Sequence, residues 1–213
     1  MTGLRMVSMG CLVWMAASSC TGNDVFGAAQ AVRLPLTLHL VNVAEISEPM
    51  ISNARKHVED IFNNAGIDIG WDVGNGLQLT VILVEATKSR LDPFGYGMNG
   101  LAIGNSGAGA RRAYIFVDRV EEQAQKLFRS ARNTPGAYDL RAMDRAGTGA
   151  LLLGVVIAHE VGHLLLPDGS HTTAGIMTAQ INNDDLNRAF SASLLFLPNQ
   201  IELIRRVLLK PWR

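Results

Sequence analysis

The order of apolar and polar positions divides the chain from residue 34 onward into alternating and helical stretches. Residues 34–43 alternate, with Leu34, Leu36, Leu38 and Leu40 against Pro35, Thr37, His39 and Val41. That predicts a strand with Pro35 at its beginning, where a missing N–H is tolerated. Ser47 then stands as an N-cap with Pro49 in the first turn. Ile51, Ala54, Val58, Ile61, Phe62 and Ala65 follow at helical spacing until Gly66 stops the helix. Residues 67–73 predict a short strand closed by Gly74-Asn75-Gly76, and residues 77–85 a strand rich in Val, Ile and Leu. Beyond a glycine-rich stretch over 92–109, residues 113–117 predict another strand. Asp118 is placed to cap a helix whose face is Val120, Ala124, Leu127, Phe128 and Ala131. Residues 133–147 read as an exposed connection. A strongly apolar helix is expected over 149–166, stopped by Pro167-Asp168-Gly169, and a helical remainder over 182–209 with a break near Pro198. Strands and helices in this order make an α+β domain.

Residues 1–31 follow a different pattern. Arg5 is the only charge before Asp24, and residues 6–17 form an apolar run of signal-peptide length, too short to span a bilayer comfortably. The expectation is an export signal over 1–31 and one domain over 32–213, placing the mature protein outside the cytoplasm, secreted or in the periplasm or cell envelope. Two cleavage points compete. One makes Cys20, after Ala17-Ser18-Ser19, the first mature residue and a lipid anchor; the other cuts after Ala29-Gln30-Ala31. The two cysteines, Cys11 and Cys20, both lie in this segment, so the domain has no disulfide, no cysteine zinc cluster and no cysteine nucleophile. Lys and Arg number 19 against 19 Asp and Glu, and aromatic residues make up only 6%. Such a balance leaves no electrostatic footprint for nucleic acid and few stacking platforms for single strands.

The chemistry lies in the apolar helix, as His159-Glu160-Val161-Gly162-His163. Residues four apart share a helix face, so both imidazoles converge on one metal ion, expected to be Zn2+. Glu160 is rotated off that pair and reaches a water on the metal as its general base. Zinc needs a third protein ligand, and the candidates are Asp168, His171 and Glu202. His171 is best placed, because the Pro167-Asp168-Gly169 turn returns the chain toward His163. Asp168, directly after Pro167, is expected to shape that turn, and Glu202 lacks the E-x-x-x-D context of glutamate-ligand peptidases.

His159, Glu160, His163 and His171, followed by Gly175-Ile176-Met177, resemble the signature of the metzincin zinc peptidases. That signature is H-E-x-x-H-x-x-G-x-x-H with a methionine-containing turn beneath the metal. The stretch is also similar to exported bacterial proteins of the H-E-x-G-H-L-L-L…H…G-I-M type. Leu166 stands where the family has its glycine, and the spacing to His171 is two residues longer, with Pro167-Asp168-Gly169 turning one step later. The resemblance covers most of residues 34–180. It implies a zincin or metzincin-like fold: a twisted mixed sheet, an active-site helix and a C-terminal helical part. It also implies a zinc-dependent endopeptidase acting on peptide or protein substrates, with His159, His163 and His171 as ligands and Glu160 as base. Met177 then packs under the site and does not ligate.

The remaining signals are weaker. Gly95-Tyr96-Gly97-Met98-Asn99-Gly100 spells a dinucleotide fingerprint but lacks the preceding strand and following helix. Residues 98–105 are better placed on an edge strand and loop lining a peptide cleft, where an extended substrate adds by backbone pairing. His39 and His57 read as lone half-exposed residues, and Arg111-Arg112 as a solvated hairpin corner. No tyrosine follows Met177 to serve an oxyanion, which leaves that task to the metal. The polar residues of the motif interrupt the apolar helix, which argues against a membrane span. Two other functions remain open: an exported zinc-binding module with a vestigial peptidase site, and a zinc hydrolase of non-peptide amides.

Overall fold

A computed structural model describes residues 32–88, 98–104, 111–133 and 144–211. The export signal, the lipid anchor at Cys20 and most of the glycine-rich stretch and of the 133–147 connection lie outside these residues. Five strands are formed: β1 (Leu34–Asn42), β2 (Ile67–Trp71), β3 (Leu77–Val84), β4 (Gly100–Ile103) and β5 (Arg112–Phe116). Five helices accompany them among the described residues: α1 (Glu48–Asn64), α2 (Val117–Asn133), α3 (Arg145–Leu165), α4 (Asn183–Phe190) and α5 (Pro198–Leu208). The sheet runs β2-β1-β3-β5-β4 and is parallel except for β4, which lies antiparallel to β5 at one edge. The fold is α+β with a mixed sheet.

Strand alternation turns one set of side chains into the core: Leu36 and Leu38 of β1, Leu79, Val81 and Leu83 of β3, and Ala113 and Ile115 of β5 are buried. They join α1 and α3 in one apolar cluster. The two helices approach closely at Gly154, where a Cβ would lie 2.7 Å from His57 Cβ and 2.8 Å from the Ala54 carbonyl oxygen. On α3 every residue from 148 to 162 is buried. By length and composition α3 could cross a membrane, yet 94% of the stretch concerned is buried inside the protein. An apolar helix enclosed on all sides is what the run of Leu, Val and Ile over 151–157 requires.

Several local expectations are corrected. Helix α3 starts four residues early, at Arg145, because the Asp144 carboxylate accepts the Gly147 N–H at 2.6 Å and caps it. Helix α2 follows β5 without a break, and Asp118 sits in its first turn rather than before it. The Asp118 carboxylate instead accepts the N–H groups of Ala86 and Thr87 at 2.9 and 3.3 Å, tying the end of β3 to α2. Burial opposes its charge, but these bonds and that of Arg119 prevail and hold the carboxyl below its usual range. The break before Pro198 is a seven-residue non-helical segment, 191–197, whose Leu194 and Phe196 are buried. Arg111 is no solvated corner: its guanidinium donates to the Leu164 carbonyl at 3.1 Å.

Candidate metal centre

The last two turns of α3 carry His159 and His163 on one face. Leu166 then leaves the helix in an extended conformation, and the chain reverses at Asp168-Gly169. Gly169 adopts φ +73°, a left-handed conformation natural to glycine, and the returning chain presents His171. His163 Nε2 lies 3.0 Å from His159 Nε2 and 3.1 Å from His171 Nε2. All three ligating nitrogens fall within 4.8 Å of one another, and among the described residues this is the group able to hold a metal ion. The centre grades outward: His159 is buried, His163 half-buried and His171 exposed.

Far ring nitrogens fix the near ones. His159 Nδ1 donates to the Ile176 carbonyl at 2.9 Å, an acceptor-only partner that leaves Nε2 unprotonated toward the centre. His163 Nδ1 lies 3.1 Å from Ser170 Oγ. Burial disfavours charge on both rings. It lowers the pKa of His159, aided by His171 and opposed by the Ile176 bond, and brings His163 down to about 4, aided by its two neighbouring imidazoles. Both are therefore neutral, as ligation requires, through the neutral pH range. The donor set is three imidazole nitrogens without oxygen, suited to zinc and its transition-metal neighbours rather than to calcium or magnesium. Tetrahedral zinc bound at about 2.0–2.1 Å needs nitrogens roughly 3.3 Å apart, and the two separations from His163 Nε2, 3.0 and 3.1 Å, lie within a few tenths of an ångström of that.

The rival ligands stand apart. Glu202 is exposed on α5 and paired with Arg206, and Asp168 is exposed in the reversing turn. Neither belongs to the cluster. His39 meets Gln78 on β3, and His57 packs on α1 where burial lowers its pKa.

Glu160 turns toward β4. It is buried, and burial pushes its carboxyl up to about 7, against the opposing hydrogen bond from the Ala102 N–H. Room for it exists because position 100 is glycine: a Cβ there would lie 2.6 Å from Glu160 Cγ. The Asn99 carbonyl accepts from Phe116 N–H at 2.8 Å. In an antiparallel ladder alternate residues face the partner strand, so Gly100 and Ala102 turn their backbone groups away from β5, to the side that no other described strand pairs with, where Ala102 meets Glu160.

Met177 lies in a turn whose Gly175 has φ +81° and whose Ile176 N–H donates to Leu195 at 3.0 Å. The side chain is fully buried against α3 at Gly162, where a Cβ would come within 2.5 Å of its sulfur. It packs against α3 at the residue before His163 and contributes no ligand atom to the cluster. A cleft of about 750 Å³ opens over the centre, with β4 on one side and residues 178–181 on the other. Gln123 of α2 joins these two walls, accepting from Asn99 Nδ2 and donating to the Ile181 carbonyl at 2.9 Å.

Sequence reasoning singled out the three histidines that the structure brings together, and Glu160 in the same helix, but not Gly100, Ser170, or the Ala102 and Ile176 backbone groups. Backbone donors and acceptors carry no residue signature. Gly162 did carry one, since a glycine inside a buried helix is costly unless something must approach closely. No family model, curated protein or solved structure matches the chain.

Proposed function

We propose that the protein is an exported, metzincin-like, zinc-dependent endopeptidase. The observation that carries this reading is the convergence of three imidazole Nε2 atoms beside a buried carboxylate at the foot of an open strand edge. A purely structural zinc site closes its fourth position with a protein ligand and needs no carboxylate there.

Zinc on three neutral imidazoles supplies Lewis acidity to a substrate carbonyl and to water. The outward N–H and C=O of Gly100 and the C=O of Ala102 offer a ladder on which an extended peptide pairs across the cleft. Glu160, next to that ladder, takes the proton of the attacking water and delivers it to the leaving amine nitrogen. A carboxyl lifted toward neutrality both accepts and releases a proton near pH 7, while a cation on the histidines draws it back toward the carboxylate. Ala102 N–H holds one carboxylate oxygen and so fixes the direction of the other.

The reading is tested by incubating the zinc-loaded protein with an unfolded polypeptide. Cleavage within the chain that stops on chelation supports it. Zinc bound without hydrolysis of any peptide transfers the site to the alternatives of a vestigial centre or a non-peptide amidase.

A further inference from the structure

Of the three imidazoles, His163 occupies the shared vertex, with its Nε2 about 3 Å from each of the others. Whether that nitrogen presents a lone pair or a proton decides whether the centre can form. His159 has this choice made by a backbone carbonyl, which only accepts. His163 faces a side chain instead, the Ser170 hydroxyl at 3.1 Å from Nδ1. Ser170 lies at the end of the reversing turn, immediately before His171, so the turn that delivers the third histidine also brings this hydroxyl to His163. Its neighbour Gly169 makes the left-handed step that folds the hydroxyl back over the last turn of α3.

We infer that Ser170 is a positioning residue for the metal: its hydroxyl accepts the Nδ1 proton of His163 and thereby aims the Nε2 lone pair at the ion. The inference rests on the metal-site reading above. A histidine ligand whose far N–H has a partner is locked in tautomer and ring orientation, and loss of such a partner typically weakens metal affinity 10–100-fold. A hydroxyl differs from a carbonyl in that it can also donate. Ser170 therefore also satisfies the alternative tautomer, in which Nδ1 accepts and Nε2–H points at His159, so the site tolerates removal of the metal without stranding a buried polar atom. The reversing turn then has a chemical role beyond reach: it supplies the second histidine with an amphoteric support.

The experiment compares wild type with Ser170→Ala, Ser170→Val and Ser170→Thr, each checked for folding by circular dichroism, using zinc affinity measured by competition with a chromogenic chelator. Valine and threonine have the same shape and differ by the hydroxyl, so packing and hydrogen bonding separate without any enzyme assay. The expected result is at least about tenfold weaker zinc binding for Ala and Val, with Thr restoring affinity to within a few-fold of wild type. Long-range proton–nitrogen NMR of the zinc-loaded protein should show a His163 Nδ1 proton that exchanges slowly in wild type and Thr, and fast in Val. Wild-type affinity in the Val variant overturns the inference, as does a Thr variant as weak as Val. A wild type that binds no zinc overturns the metal-site reading itself, and this inference with it.

Discussion

Glu160→Gln should make the metal-stripped protein increasingly resistant to denaturation, relative to wild type, as pH rises from 4 to 8. The Glu160 carboxyl is buried, and its pKa rises from the ordinary 4.5 to about 7. Between those values the folded chain holds a proton at this position that the unfolded chain has released. The native state then binds more protons than the unfolded one, so stability falls as pH rises. The contribution is fully present below 4.5 and is lost as pH passes 7. Holding the carboxyl at about 7 disfavours the ionised form by roughly 3 kcal/mol. Glutamine fills the same space and accepts from Ala102 N–H without ionising. Fit and hydrogen-bond differences of the amide do not depend on pH, and the lowered pKa values of His159 and His163 act alike in both proteins. The informative quantity is therefore the stability difference between variant and wild type, measured by urea unfolding in chelator from pH 4 to 8. It should grow in favour of glutamine by about 3 kcal/mol across that range. Parallel curves would show that the carboxyl is not strained by burial, and the account of Glu160 as a near-neutral acid and base would fail.

The ligands separate by substitution. His159→Ala and His163→Ala should lose zinc and His171→Ala should bind it far more weakly, while Asp168→Asn and Glu202→Gln stay near wild type by elemental analysis after dialysis. If Glu202→Gln is the variant that loses metal, the three-histidine assignment is wrong. Gly100→Ala places a Cβ 2.6–2.8 Å from Glu160 Cγ, Cδ and Oε1. It should keep zinc and lose roughly 10²-fold in peptide turnover, since misplacement of a catalytic group by an ångström costs about that much. Unchanged turnover would mean that Glu160 does not work from this position. Gly162→Ala drives a methyl into Met177 Sδ at 2.5 Å and Phe196 at 3.0 Å. It should destabilise the fold by about 1–3 kcal/mol in urea, and a neutral effect would refute tight packing of Met177 and Phe196 against Gly162.

The sequence made the site legible through its periodicity. Two histidines one helical turn apart, inside a run of leucine and valine, admit few other arrangements. Pro167-Asp168-Gly169 signalled the reversal that brings His171 back, and Gly169 makes that turn with a left-handed φ. Strand positions were readable because Leu34, Leu36 and Leu38 face the core at every second residue. Other features were hidden for definite reasons. The start of α3 at Arg145 precedes its apolar run, and the cap that sets it lies in one aspartate side chain. The segment 191–197 resembles a helix in composition, but its Leu194 and Phe196 are spaced for an extended chain, which a helical template absorbs. Arg111 looked solvated because nothing local predicts a carbonyl 53 residues away. The same holds for Ser170, which no spacing rule connects to His163.

Digestion of an unfolded protein at neutral pH, by wild type and by Glu160→Gln loaded to equal zinc content, tests the central claim most directly. The account predicts chelator-sensitive cleavage by wild type and a loss of roughly 10²–10⁴-fold or more in the variant, because an amide cannot take the proton of water. Equal digestion by the two proteins would contradict it.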